Sequence, residues 1–314
     1  MGEMYQVISD VNELKWFYDH VIQKPQVNES YSMVFVSRHK KLTKEEQATY
    51  GLTRKESEFL ATQSVRLGKF KDALYIDEDN NWTFEGFLKR VRRFNVDKYA
   101  YTTSLGEPLP EKTLSVIFYV NPCDDIKVAD AIVTQINDVK TAICKAMLGG
   151  KTTADNLQSY QLFGNLENNL KHFKANCKGS RYWMDFDIDV PSWFKDPKKG
   201  TRFQSDIFVS YERQLRNLLA NTFRKGNYVI VSTSGGYHVL VRTSAIRANP
   251  HSFCKEVAGI YEDGIAAGEE PYVDDKGTPK FECIVNDSQI PGLPLPGTFQ
   301  YGRPVTVINK EDFQ

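Results

Sequence analysis

At 314 residues the chain is long enough to bury a sizeable core, as one elaborated domain or two smaller ones. With 41% hydrophobic and 25% charged residues the composition is that of an ordinary soluble globular protein, and no apolar run is long enough to span a membrane. Lys plus Arg and Asp plus Glu come to 40 each, so net charge selects no partner, and any basic groove has to be local.

The five cysteines (Cys123, Cys144, Cys177, Cys254, Cys283) are an odd number, widely spread and without a CxxC pair. That pattern fits free thiols in a reducing compartment and argues against a cysteine-rich zinc site. The first ten residues hold acids and no apolar core, unlike a signal peptide, so the expected location is cytoplasmic, with no membrane partner.

In chain order, a helix is predicted over residues 11–22 and an apolar strand over 32–37. A charged helix follows from Thr43, where Glu46 completes a capping box. Residues 73–77 read as a short strand and 82–94 as an amphipathic helix with a basic side. The turn-rich stretch 104–112, with two prolines and a glycine, marks the expected division into an α/β amino-terminal region (1–110) and a second unit (111–314). Beyond it, 114–120 is a continuous β-branched and aromatic run, as in a buried strand. A long helix to about 148 follows, then a polar helical segment (156–174), a strand (182–189) and a helix (205–223). Strands 228–232 and 237–242 meet across a glycine turn. A helix over 250–265 and short strands near 281–285 and 304–308 come last. Helices interleaved with hairpin-linked strands predict an α+β fold with a mixed or antiparallel sheet.

Three segments carry chemistry. In Asp185-Phe186-Asp187-Ile188-Asp189 the strand alternation places the three acids on one face, about 6.5–7 Å apart. Carboxylates so spaced on a core strand repel one another unless a cation joins them, and hard oxygen ligands suit Mg²⁺ or Mn²⁺. The plainer alternative is a strand end whose acids face water. In Ser232-Thr233-Ser234-Gly235-Gly236-Tyr237-His238 the hydroxyls and the amides near paired glycines are anion donors, and His238 starts the next strand. Alone, this is equally an ordinary hairpin with a satisfied histidine. The third segment, Asn286 to Thr298, is a loop stiffened by proline and glycine. There Asp287 is a candidate ligand, with Glu282 on the preceding strand and Asp189 as competitors.

These elements, in this order, resemble the archaeo-eukaryotic primase superfamily, primase-polymerase type, which includes proteins of phages, plasmids and CRISPR loci. Asp185 and Asp187 match its Asp-x-Asp strand, His238 its histidine hairpin, and Asp287 best matches its later single acid. Residues 114–122, ending Tyr-Val-Asn-Pro, are similar to the strand that opens the family's catalytic core, and Leu295-Pro296-Gly297-Thr298 resembles a loop found after its third motif. The similarity spans residues 114–308. One departure is Gly236, where the family often has serine two residues before the histidine; Ser234 lies two further back.

The resemblance implies an RRM-like sheet catalytic core flanked by helices, with the amino-terminal α/β region packed on it. It implies template-directed nucleotidyl transfer from an NTP or dNTP to a 3′-hydroxyl, releasing pyrophosphate. Two Mg²⁺ or Mn²⁺ ions, and no zinc, would be held by Asp185, Asp187 and Asp287. His238, Ser234, Gly235, Gly236, Arg242 and the more distant Arg303 would grip the triphosphate. Arg242 shares the strand face of His238. A single-stranded DNA template would run over Lys195, Lys198, Lys199 and Arg202, beside Trp193 and Phe194, or over Arg92 and Arg93 with Lys89 and Arg90. With no motor motif in the chain, a replicative helicase would act in trans. Two rivals stand behind this reading: a glycosyltransferase using Asp-x-Asp with Mn²⁺, and a non-catalytic RRM-like module that binds nucleic acid.

Overall fold

The computed structural model describes residues 3–38, 42, 44–49, 59–68, 82–100, 102, 106–147, 177, 179–189, 206–247, 249–266, 282–286 and 291–313. Within them the chain is α+β, with two sheets whose strand pairings are all antiparallel. The expected elements at 73–77 and 156–174 lie outside the described residues.

The first sheet holds β1 (Glu29–Arg38), β2 (Phe59–Gly68), β3 (Leu114–Tyr119), β4 (Cys123–Asp124), β9 (Gly292–Pro294), β10 (Phe299–Gln300) and β11 (Arg303–Pro304). Its order is β11-β10-β3-β1-β2, with β4 beside β1 and β9 beside β3. Sequence on both sides of the 104–112 stretch therefore meets in one sheet, β3 pairing with β1 from Met33–Phe118 to Ser37–Leu114. The strand β2 was not expected. Its Thr62, Gln63, Ser64 and Arg66 interrupt any apolar alternation, and what holds it is pairing with β1 along its whole length.

Two helices cover this sheet. In α1 (Val11–His20) the Asp10 carboxylate accepts from the Asn12 and Glu13 N–H groups at 2.8 and 3.3 Å, capping the first turn. Leu14 and Phe17 then face inward, and Phe17 meets Phe118 edge-on at 6.0 Å. In α3 (Phe84–Arg92) Thr83 caps the start, and Phe87 and Val91 are buried. A short α2 (Lys44–Thr49) lies between β1 and β2 in sequence, and α4 (Asp125–Met147) follows β4.

At the start of α4, the Asp124 carboxylate accepts from the Ile126 and Lys127 N–H groups at 3.0 and 3.2 Å. Burial works against this charge. The two N–H groups and the Lys127 ammonium outweigh burial and hold the Asp124 carboxyl below the usual aspartate range. A depressed native pKa contributes stability that is complete above the unfolded value and is lost as pH falls through the native one. Asp124→Asn is therefore expected to be less stable than the parent by about 0.5–1 kcal/mol at neutral pH, with the gap closing as the solution is acidified below about pH 4. Urea titrations of both proteins across that range check it.

The second sheet has the order β12-β6-β7-β5-β8. It is built from β5 (Trp183–Asp189), β6 (Tyr228–Ser232), β7 (Gly236–Arg242), β8 (Glu282–Asn286) and β12 (Thr306–Val307). Between β5 and β6 runs α5 (Asp206–Thr222), and between β7 and β8 runs α6 (Pro250–Ala266). One face of the sheet packs Met184, Phe186, Ile188 and Val239 against Leu215 and Leu219 of α5 and Phe253 and Val257 of α6. The opposite face begins with Trp183, Val229, Val231 and Leu240, which join a single core with α1, α3 and the first sheet. Trp183 is fully buried there, its Nε1 donating to the Val21 carbonyl at 2.9 Å. Further along β5 the same face turns acidic.

Residues 291–298, expected as a loop, instead supply β9 and a tight crossing under α1. Gly297 has φ +83° and accepts from the Ser9 and Asp10 N–H groups at 2.9 and 3.2 Å. Two residues on each side of a sharp hairpin, β10 and β11, are joined by Tyr301 (φ 54°) and Gly302 (φ 76°). Only Val305 then separates β11 of the first sheet from β12 of the second. Among the described residues no helix is long and apolar enough to cross a membrane.

Candidate active site on the second sheet

The strand alternation that puts Phe186 and Ile188 into the helix-covered core turns Asp185 and Asp187 to the other face. Cross-strand register then decides their neighbours. Asp185 lies between Leu240 and Asn286, Asp187 between His238 and Ile284, and Asp189 between Gly236 and Glu282. Two structural choices fix where β5 enters. The buried Asn121 side chain accepts from the Tyr182 and Trp183 N–H groups at 2.9 Å and donates to the Trp183 carbonyl at 2.7 Å. The Trp183 ring locks the strand from the other side.

The two carboxylates, alike in sequence, are unlike in place. Asp185 is 0% exposed, whereas the Asp187 side chain is 46% exposed. The His238 ring lies between them. Its Nδ1 is 3.1 Å from both carboxylate oxygens of Asp185, and its Nε2 is 3.7 Å from Oδ1 of Asp187. An ionised carboxylate only accepts, so Nδ1–H is the donor to Asp185, which orients the ring and turns Nε2 toward Asp187 and solvent. The sequence placed His238 on the triphosphate; the structure gives it a second partner, the buried acid.

Among the described residues no group of three or more His, Cys, Asp or Glu forms a ready metal-holding cluster. Asp287, the expected third ligand, lies outside the described residues. The strand residue facing Asp185 across β8 is Asn286, and Glu282 occupies the position facing Asp189. What is present, an open carboxylate beside a buried one on a rigid strand, is hard-oxygen chemistry and fits Mg²⁺ or Mn²⁺ better than a soft ion.

The β6–β7 turn is built differently from the expected amide cradle. The Gly235 and Gly236 N–H groups donate to Thr233 Oγ1 at 3.3 and 3.1 Å, and the Ser234 N–H donates to Gln300 Oε1 at 2.7 Å. Neither glycine has a positive φ. The donor left over is the Ser234 hydroxyl, whose Oγ is buried and has no hydrogen-bond partner.

Gln300 is a residue that the sequence reading missed: buried on β10, it ties the turn to the first sheet. Its register partner is Arg303, which brings that arginine to the turn's side of the molecule. Arg242 shares the face of His238 but stands four residues along β7, about 13 Å away. Its guanidinium stacks over Trp183 at 4.8 Å and its Nε donates to the Gly226 carbonyl, so it is engaged in packing.

Of the candidate template residues, Lys195, Lys198, Lys199 and Arg202, with Trp193 and Phe194, lie outside the described residues. Arg92 and Arg93 are exposed at the carboxyl end of α3, where Lys89, Arg90 and Arg92 also complement the helix dipole. The chain matches no family model, and no curated protein or solved structure is significantly similar to it.

Proposed function

We propose that the protein is a primase-polymerase, transferring a nucleotidyl group from an NTP or dNTP to a 3′-hydroxyl on a single-stranded DNA template and releasing pyrophosphate. One observation carries the reading: the His238 ring sits between Asp185 and Asp187, one acid buried and one open, on neighbouring strands in register. The order β5-α5-β6-β7-α6-β8 with the sheet sequence β6-β7-β5-β8 is compatible with the βαββαβ arrangement expected of an RRM-like core, and supports the same reading.

In this reading Asp187 is the carboxylate that meets the incoming cation, with Asp185 behind it and Asp287 as the third ligand. A divalent ion held there would supply Lewis-acid activation of the 3′-hydroxyl and neutralise charge on the triphosphate. The protein's own groups do the positioning. Asp185 holds the His238 ring in one orientation, and the ring, when protonated on both nitrogens, presents Nε2–H to a phosphate oxygen. Ile284, 52% exposed across from Asp187, offers an apolar surface next to the acids.

The assay is incubation with single-stranded DNA, labelled nucleotides and Mg²⁺ or Mn²⁺, with and without a primer. Metal-dependent incorporation, lost in Asp187→Ala, is the expected outcome. No incorporation with either ion, or synthesis that survives Asp187→Ala, overturns the proposal.

A further inference from the structure

On the helix-covered side of the second sheet, the end of α5, the start of α6 and the segment after β7 enclose a cavity of about 370 Å³. That volume lies within the range of small-molecule sites, about 300–1,000 Å³.

Its floor is aromatic. Phe186 and Phe253, both buried, meet edge-on at 4.8 Å, and the half-buried Phe223 tilts against Phe253 at 5.6 Å. Strand alternation brings Phe186 here by turning it away from Asp185 and Asp187. Ile246 completes the apolar lining.

The rim is charged. Arg224 lies in the turn from α5 into β6, and Arg247 in the segment between β7 and α6; both are exposed. Among the described residues neither guanidinium has an ion pair or a hydrogen bond. Their neighbours in sequence are used differently: Arg216 of α5 pairs with Glu311, and Lys225 with Asp312. Glu256 is the acid in the lining, and the two arginines outnumber it. Asn227 and Ser244 also line the cavity, and neither side chain hydrogen-bonds among the described residues.

We propose that this cavity binds a small anion with a flat aromatic body, of the nucleoside monophosphate class. The phosphate takes the two guanidiniums, whose planar forks match its oxygens. The base lies on Phe223 over the apolar floor. Asn227, Ser244 and Glu256 meet the polar edges of base and sugar. An inorganic anion alone leaves the aromatic floor uncovered, and an apolar molecule alone leaves both arginines without a counter-charge. The cavity is on the opposite face of β5 from the acids and calls for no divalent ion, so the proposal is independent of the nucleotidyl-transfer reading.

The test is isothermal titration calorimetry of the full chain, in EDTA, with AMP, GMP, CMP and UMP in turn. Saturable binding of at least one of the four is expected, with the matching nucleoside and inorganic phosphate each weaker by about tenfold or more. Arg224→Gln combined with Arg247→Gln is expected to weaken that nucleotide by about tenfold or more, while Asp187→Ala binds it as the parent does. Both arginines are exposed, and circular dichroism checks that the double variant is folded. No saturable binding of any of the four, or phosphate that binds as tightly as the nucleotide, overturns the proposal. So does nucleotide binding that the double arginine variant keeps in full, or that Asp187→Ala loses.

Discussion

Asp185→Asn is expected to lower nucleotide incorporation by about a thousandfold while leaving the protein folded, the loss corresponding to roughly 4 kcal/mol of transition-state stabilisation. The substitution keeps the shape of the side chain and an oxygen able to accept from His238 Nδ1, so the strand and its register with β7 survive. What it removes is a carboxylate oxygen that the proposed reaction uses to orient the imidazole and to complete the proposed cation site. Arg242→Gln is the contrasting case. That guanidinium stacks on Trp183 and meets the Gly226 carbonyl, so the change is expected to cost about 1 kcal/mol of stability with the rate within a few-fold of the parent. Single-turnover incorporation and thermal unfolding, measured on both variants, separate the two effects. A fully active Asp185→Asn protein would remove Asp185 from the chemistry.

Gly297→Ala is expected to be strongly destabilising where residue 297 crosses under α1. A β-carbon there would stand 2.6 Å from both the Asp10 carbonyl oxygen and the Leu14 nitrogen, and 2.7 Å from the Leu14 Cβ. Two of these are backbone atoms of the first turn of α1 and its cap, which cannot swing aside as a side chain tip can. The residue also has φ +83°, where an L side chain adds about 1–2 kcal/mol. Overpacking adds about 1–3 kcal/mol more. The sum, about 3 kcal/mol, is expected to lower Tm by roughly 4–5 °C, seen by calorimetry or circular dichroism. Gly302 has a similar φ but no atom within 4 Å of the built carbon, so Gly302→Ala is expected to show the backbone term alone.

Much of the architecture was legible because its signals are local. The β-branched run at 114–120, the alternation in Trp183 to Asp189 and the glycine turn before His238 each name their own element. The antiparallel sheet, the two helices behind it and the acidic face follow. What was not legible depends on partners far away in sequence. The strand β2 has a weak pattern of its own and is held by β1. Segment 292–304 looks like a loop because prolines and glycines fill it, yet it pairs with β3 and with itself.

The site shows the same division. Asp185 and Asp187 are visible as a pair, but only register and burial distinguish the enclosed acid from the open one. The amides of Ser234 to Gly236 were read as phosphate donors from residue type. Thr233, a turn residue quoted in the same motif, and Gln300, over sixty positions on, already accept those protons. Asn121 was visible as the end of a buried strand. Its role as a clamp on β5 appears only once β5 arrives beside it.

The passage of the chain through Val305, from β11 directly into β12, has a consequence for synthesis in the cell. The first sheet needs residues 292–300 beside β3, and the second needs 306–307 beside β6. The buried Glu13 carboxylate also accepts from the Val307 N–H at 2.7 Å and pairs with Lys310. Neither sheet is therefore complete while these residues are still inside the ribosome. Until then the nascent chain has to hold one edge of β3 and one edge of β6 unpaired. Late closure by non-local strands slows folding and lengthens exposure to aggregation. Yield on expression is expected to respond to chaperone supply and to temperature more than the stability of the finished protein suggests.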